Sequence, residues 1–226
     1  MLNVRRALTI SSLLLLPDLA LAALHVCEDP MLSVQADTEG VGKLACNAAT
    51  SAKALLSSCG LVQDRPINIA VVDIAQHPTF GDCLATFDQQ TECLAVTDLD
   101  RMSSLLPVGD PRSALPPDVL FAAAITHEMA HALLQQSARE RQIAATEQEF
   151  VANAFEMESL EPQWRNLLLD AYPINPPGSL SLVHLTIYAL EPRAYANNAW
   201  LVFDQDVMGC SLVQKIAAGE FRFPRH

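Results

Sequence analysis

From Val119 to about Ser137 no residue interrupts a helix, and the stretch is apolar almost throughout, with Leu120, Phe121, Ile125, Met129, Leu133 and Leu134. Pro117 and Asp118 suit its first turn, where a missing N–H does no harm and an acidic side chain meets the positive end of the helix. A helix that is apolar on every side has to be buried, so the rest of the chain must fold around this one. Yet His127, Glu128 and His131 stand in its middle. Two imidazoles and a carboxylate in an apolar interior are costly unless something pairs them, and a metal ion does. Four residues apart on a helix, His127 and His131 project from one face and can close on a single ion. Zinc suits two neutral imidazoles and one carboxylate, with a fourth position open to water. Glu128, beside the first ligand, can take a proton from that water without binding the metal.

A third ligand should come from a following helix. Glu147, Glu149, Glu156 and Glu158 are the candidates. Glu149 is the best of them, because Phe150, Val151, Ala154 and Phe155 mark its surroundings as packed, and a glutamate inside packing needs a reason. Glu147 reads as a helix-start charge facing solvent.

These residues resemble the gluzincin group of zinc metallopeptidases. His127-Glu128-Met129-Ala130-His131 is followed, after seventeen residues, by Glu149-Phe150-Val151-Ala152-Asn153. The resemblance covers roughly residues 92–155. It implies a zincin-like fold with both histidines on one helix and the ligand glutamate on the next. It also implies Zn2+ held by His127, His131 and Glu149, and peptide-bond hydrolysis by zinc-bound water with Glu128 as general base. Members often have an Asp four residues after the ligand glutamate, hydrogen-bonding a ligand imidazole. Asn153 stands at that place and is expected to accept from an imidazole N–H. A strand ahead of the active helix binds substrate backbone in this group, and residues 92–97 are the expected edge. A Tyr or His from the C-terminal part usually stabilises the oxyanion. Here Tyr188 is the leading choice, with His184, Tyr195 and Tyr172 as rivals. The alternative is a non-catalytic zinc-binding or structural protein on the same scaffold. Intact Glu128 argues against it, since a zinc site without turnover has no use for a base there. His25, His77 and His226 read as ordinary surface or loop residues.

The 226-residue chain carries 14 Lys+Arg against 26 Asp+Glu, a net charge of −12. A field of that sign repels phosphate backbones and anionic lipid headgroups, which argues against nucleic-acid and polybasic membrane contacts. Arg5 and Arg6, the apolar run Ala7 to Leu16 and the small-x-small pattern Ala20-Leu21-Ala22 read as a signal peptide over 1–22. That run is too short for a bilayer, which takes about 20 apolar residues. The expected protein is therefore periplasmic or secreted, with no stable membrane span after cleavage and a peptide or protein as its partner.

All six cysteines lie beyond that cleavage site, which predicts three disulfides. Cys83 and Cys93 are close enough in sequence to staple a hairpin. Cys46 and Cys59 flank one helix and stand about 20 Å apart along it. Disulfide Cα atoms lie within about 7 Å, so these two cannot pair with each other. Their partners are Cys27 and Cys210, in either order.

Half of the residues are apolar, enough for one globular domain over 23–226. The pattern predicts an α+β fold: a small N-terminal sheet with a helix, then the active-site helix and further C-terminal helices. Helices are expected at 37–58, 144–171 and over most of 180–218, with a break at Pro192. Strands are expected at 67–72, 83–87 and 92–97, and a loop at 105–117.

Overall fold

A computed structural model describes residues 23–139, 141–205 and 209–224; the expected signal peptide at 1–22 lies outside the described residues. The β-branched run Ile67–Val72 (β3) is the middle strand of a five-stranded sheet. With β1 (Ala23–Val26), β2 (Leu32–Ala36), β6 (Ala85–Asp88) and β7 (Cys93–Thr97), the order is β1-β2-β3-β7-β6. β2, β3 and β7 run parallel, while β1 and β6 lie antiparallel on the two edges. β4 (Ala75–His77) and β5 (Gly81–Cys83) form a separate two-stranded hairpin.

Alternation along the strands buries Leu32, Val34, Ile67, Ile69, Leu94 and Val96 on one face. Against that face lies α1 (Glu39–Ser58), whose Thr38 cap accepts a hydrogen bond from the Val41 N–H. Its small buried residues Ala45, Ala49 and Ala52 let it approach closely. After β7 come α2 (Leu99–Leu105), a 3-10 turn at Pro111–Ala114, and α3 (Pro117–Ala138). The chain then forms α4 (Ala145–Ser159), α5 (Pro162–Ala171), α6 (Leu185–Leu190), α7 (Pro192–Phe203) and α8 (Gly209–Ala218).

Packed between α1 and α4, α3 has most of its residues buried, as its uninterrupted apolar sequence requires. Buried Gln136 ties it to the sheet side: its Oε1 accepts from the Asp64 and Arg65 N–H groups, and its Nε2 donates to Glu92 at 2.9 Å. One hydrophobic cluster runs from Cys27 to Phe223. No helix among the described residues is long and apolar enough to cross a membrane.

The expected helix over 144–171 is two helices, α4 and α5. Pro162 lacks an N–H and keeps the preceding residue out of the helical region, so α5 starts at that proline. Helix α2, between the expected strand at 92–97 and the expected loop at 105–117, is opened by Asp98, whose side chain accepts from the Asp100 N–H. The expected edge at 92–97 is corrected as well. β7 is interior, and β6 is the outer strand.

Two disulfides are present, Cys27–Cys46 and Cys59–Cys210. They resolve the open choice of partners and tie the end of β1 to the first half of α1, and α8 to the C-terminal end of α1. The expected Cys83–Cys93 staple is absent, and both thiols are free. The register explains why: Cys93 stands opposite Asp88, five residues beyond Cys83. Five strand residues span about 16 Å, far outside disulfide reach.

Candidate metal centre

α3 supplies His127, Glu128 and His131 from its buried middle, and α4 brings Glu149 against them. His127 and His131 sit one turn apart with ring centroids 5.0 Å from each other. The Nε2 of His127 is 3.7 Å from Glu149 Oε2, and the Nε2 of His131 is 3.7 Å from Glu149 Oε1. One ligand atom from each of the three residues lies within 4.8 Å of the others, so the group could hold a metal ion. Tetrahedral zinc with bonds of 2.0–2.1 Å sets its ligand atoms about 3.4 Å apart, close to this spacing.

The electrostatics fit a cation. Burial holds the His131 imidazole down at about 4, so it is neutral and its lone pair is available. Burial also opposes charge on His127, but its hydrogen bond to Glu156 and the carboxylates of Glu128, Glu156 and Glu149 outweigh that and push it up to about 9. Burial raises the Glu128 carboxyl to about 7; the His127 charge and the Phe87 backbone N–H pull against it, while Glu149 and Glu156 add to the rise. Without an ion, three glutamates crowd two imidazoles here, and a dication would offset that excess negative charge.

Glu156 occupies a role that Asn153 was expected to fill. The Nδ1 of His127 is 2.9 Å from Glu156 Oε2, so with the proton on Nδ1 the Nε2 lone pair is left toward Glu149. Against the cost of burial, His127 and Arg193 hold the Glu156 carboxyl down at about 2. Arg193 Nη1 approaches its other oxygen at 3.6 Å. Asn153 is bonded within its own helix instead: its amide donates to the Glu149 carbonyl at 2.8 Å and to Glu149 Oε2 at 3.5 Å, and its Oδ1 has no partner. It steadies the ligand glutamate and does not reach an imidazole. Glu156 lies seven residues after Glu149, two turns along the same face, a spacing that could have identified it. Nothing in the sequence pointed to Arg193.

Glu147 also departs from expectation. It is buried, and its Oε1 accepts the Phe223 N–H at 2.8 Å, tethering the C-terminal segment to the start of α4. Among the aromatic candidates, Tyr188 on α6 lines the cleft that His127, His131 and Glu149 also line. Burial and the Glu149 charge both push that phenol upward. Tyr195 is fully buried with its hydroxyl donating to the Thr146 carbonyl at 3.2 Å, and its ring meets Tyr188 edge-on. Tyr172 ends α5, and its carbonyl accepts from Asn197. His184 caps the start of α6 and is not among the cleft-lining residues.

A cavity of about 290 Å3 opens in front of this group. α3 and α4 line it with His127, Glu128, His131 and Glu149, and β6 with Ala85, Thr86 and Phe87. Because the Thr97 N–H donates to the Leu84 carbonyl, antiparallel alternation turns the main-chain groups of Ala85 and Phe87 away from β7. The Phe87 N–H accordingly meets the Glu128 carboxylate. His77, read from sequence as an ordinary residue, lines the same cavity.

Neither the curated proteins nor the solved structures provide a significant match to this chain. Residues 32–226, nearly all of the described fold and the whole candidate centre, match one family model, and the chain belongs to that family: the Family of unknown function (DUF6639).

Proposed function

We propose that this protein is an exported zinc-dependent metallopeptidase of zincin-like architecture. The observation that carries the reading is the convergence of His127, His131 and Glu149 beside buried Glu128, at the head of a cleft bordered by an edge strand. His127 and His131 would hold zinc through Nε2, and Glu149 through a carboxylate oxygen. Bound there, zinc polarises a carbonyl and makes water acidic enough to react near neutral pH. Glu128 accepts a proton at its carboxylate and returns it to the departing amine, a role suited to a carboxyl raised to about 7. Glu156 keeps His127 in the tautomer that presents Nε2. The Tyr188 hydroxyl, on the cleft wall, is the tyrosine donor available to a developing oxyanion. The outward main-chain groups of Ala85 and the Phe87 carbonyl offer an edge to which an extended peptide can pair.

The two disulfides support a periplasmic or secreted setting, where oxidising conditions keep such bonds intact. A second reading is zinc binding without turnover on the same three side chains. One experiment separates them. Zinc content is measured in the purified oxidised protein, and a mixed peptide library is then digested with wild type and Glu128→Gln. The peptidase reading expects one zinc per chain and cleavage that Glu128→Gln abolishes. One zinc with no Glu128-dependent cleavage establishes the second reading, and failure to take up zinc removes both.

A further inference from the structure

We infer that the turn between β4 and β5 is the substrate-selecting wall of the metal cleft: His77 donates its Nε2–H to a backbone carbonyl of the bound peptide, and Phe80 receives a large apolar side chain next to the scissile bond. The inference rests on the peptidase reading above.

His77 Nδ1 accepts two backbone hydrogen bonds from its own turn, from Thr79 N at 3.1 Å and Phe80 N at 3.2 Å. A ring nitrogen that accepts cannot carry the proton, so the neutral imidazole bears it on Nε2. That N–H has no protein partner among the described residues, and His77 lines the cavity that contains His127 and Glu128. The ring also lies nearly flat on Phe80, with centroids 4.6 Å apart and planes 23° apart. Phe80 lines the same cavity yet is 78% exposed, a large apolar surface left uncovered where a ligand would cover it.

The turn is held in place from below. Buried Thr97 at the end of β7 donates its hydroxyl to the Cys83 carbonyl at 2.6 Å and accepts the Ala75 N–H at 2.9 Å. Both hairpin strands are thereby fastened to the sheet, so His77 and Phe80 stand on a fixed support. The cleft's chemistry also narrows the substrate. Its lining contains no Lys or Arg to match a free C-terminal carboxylate. Glu128 and Glu149 in the cleft and a net charge of −12 disfavour acidic peptides. The substrate class is an internal, uncharged or basic peptide segment carrying a bulky apolar residue.

Zinc-loaded wild type, Phe80→Ala, His77→Phe and His77→Gln are used to digest the same peptide library, with cleavage sites read by mass spectrometry and zinc content by elemental analysis. Neither residue is a ligand, so zinc content stays at the wild-type level in every variant. Wild type is expected to favour one position flanking the cut with Phe, Leu, Met or Tyr, and Phe80→Ala to erase that preference with about a tenfold fall in kcat/KM. His77→Phe, which keeps the stacked ring and loses the donor, is expected to lower kcat/KM about tenfold across all sites, and His77→Gln, which restores a donor, to recover most of it. Wild-type cleavage with the same sites and rates in all three variants overturns the inference and leaves the peptidase reading standing. No cleavage by zinc-loaded wild type overturns both.

Discussion

The Glu156 carboxylate lies 2.9 Å from Nδ1 of His127, two helical turns beyond Glu149 on the same helix. One helix therefore provides both the carboxylate that faces the two imidazoles and the one that meets Nδ1 of His127. Its register against α3 sets the geometry of the centre as a whole. Arg193, reaching in from α7, keeps Glu156 ionised and fixed. Removing the charge while keeping the shape and an acceptor oxygen, with Glu156→Gln, is expected to weaken zinc binding by about 10–100-fold. Competition with a chromophoric chelator measures it. Asn153→Ala is expected to weaken binding less, because Asn153 touches only Glu149.

Zinc uptake should depend on pH with a defined sign. In the metal-free protein His127 is raised from 6.5 to about 9, so between those values the fold holds a proton that zinc must displace. Apparent zinc affinity is expected to rise by up to about tenfold per pH unit from 6.5 toward 9, with release of one proton per zinc. Calorimetry in buffers of different ionisation enthalpy counts that proton. The stability of the metal-free fold runs the other way: the contribution from His127 is complete below pH 6.5 and is lost as pH rises through 9.

Glu147 and Glu149 should separate cleanly. Glu149→Ala removes a ligand and is expected to abolish tight zinc binding. Glu147→Ala leaves the centre intact but strips the buried Phe223 N–H of its acceptor, which costs about 1–3 kcal/mol of stability. Thermal melts of the metal-free variants, set beside their zinc content, test both halves.

The Cys59–Cys210 bond closes a loop with a sequence separation of 151 residues. Replacing both cysteines by serine is expected to cost about 2–5 kcal/mol, seen as a lower denaturant midpoint. Thiol titration of the unfolded, unreduced wild type should find two free thiols over the described residues, those of Cys83 and Cys93. A third disulfide, between Cys83 and Cys93, would contradict the register of β6 and β7.

Where local rules suffice, the chain is legible without its structure. The helix around His127 to His131 follows from an unbroken apolar run and Pro117 at its start, and β3 from its β-branched residues. The four-residue spacing of the histidines places them on one face in any α-helix. Glu149 was identified because packed residues surround it. The break at Pro162 is also legible in the sequence, because a proline alone dictates it.

Other features depend on which elements meet. Glu147, Glu149 and Glu156 are all glutamates on one helix, and only the packing of α4 on α3 and α7 decides which ties down a tail, which faces both imidazoles and which meets Nδ1. Strand order made β6 the edge beside Glu128 and placed Cys83 and Cys93 at opposite ends of a strand pair. His77 gained its place in the cleft from a hairpin fastened by Thr97, 20 residues later in the chain. The sequence by itself determined the pair of histidines, the neighbouring glutamate and the helix that carries them, because spacing on one helix is a local property. The tertiary structure decided the placement of Glu149 against both imidazoles, the carboxylate beside Nδ1 of His127 and the cleft walls, because these are contacts between elements whose relative placement no local pattern encodes.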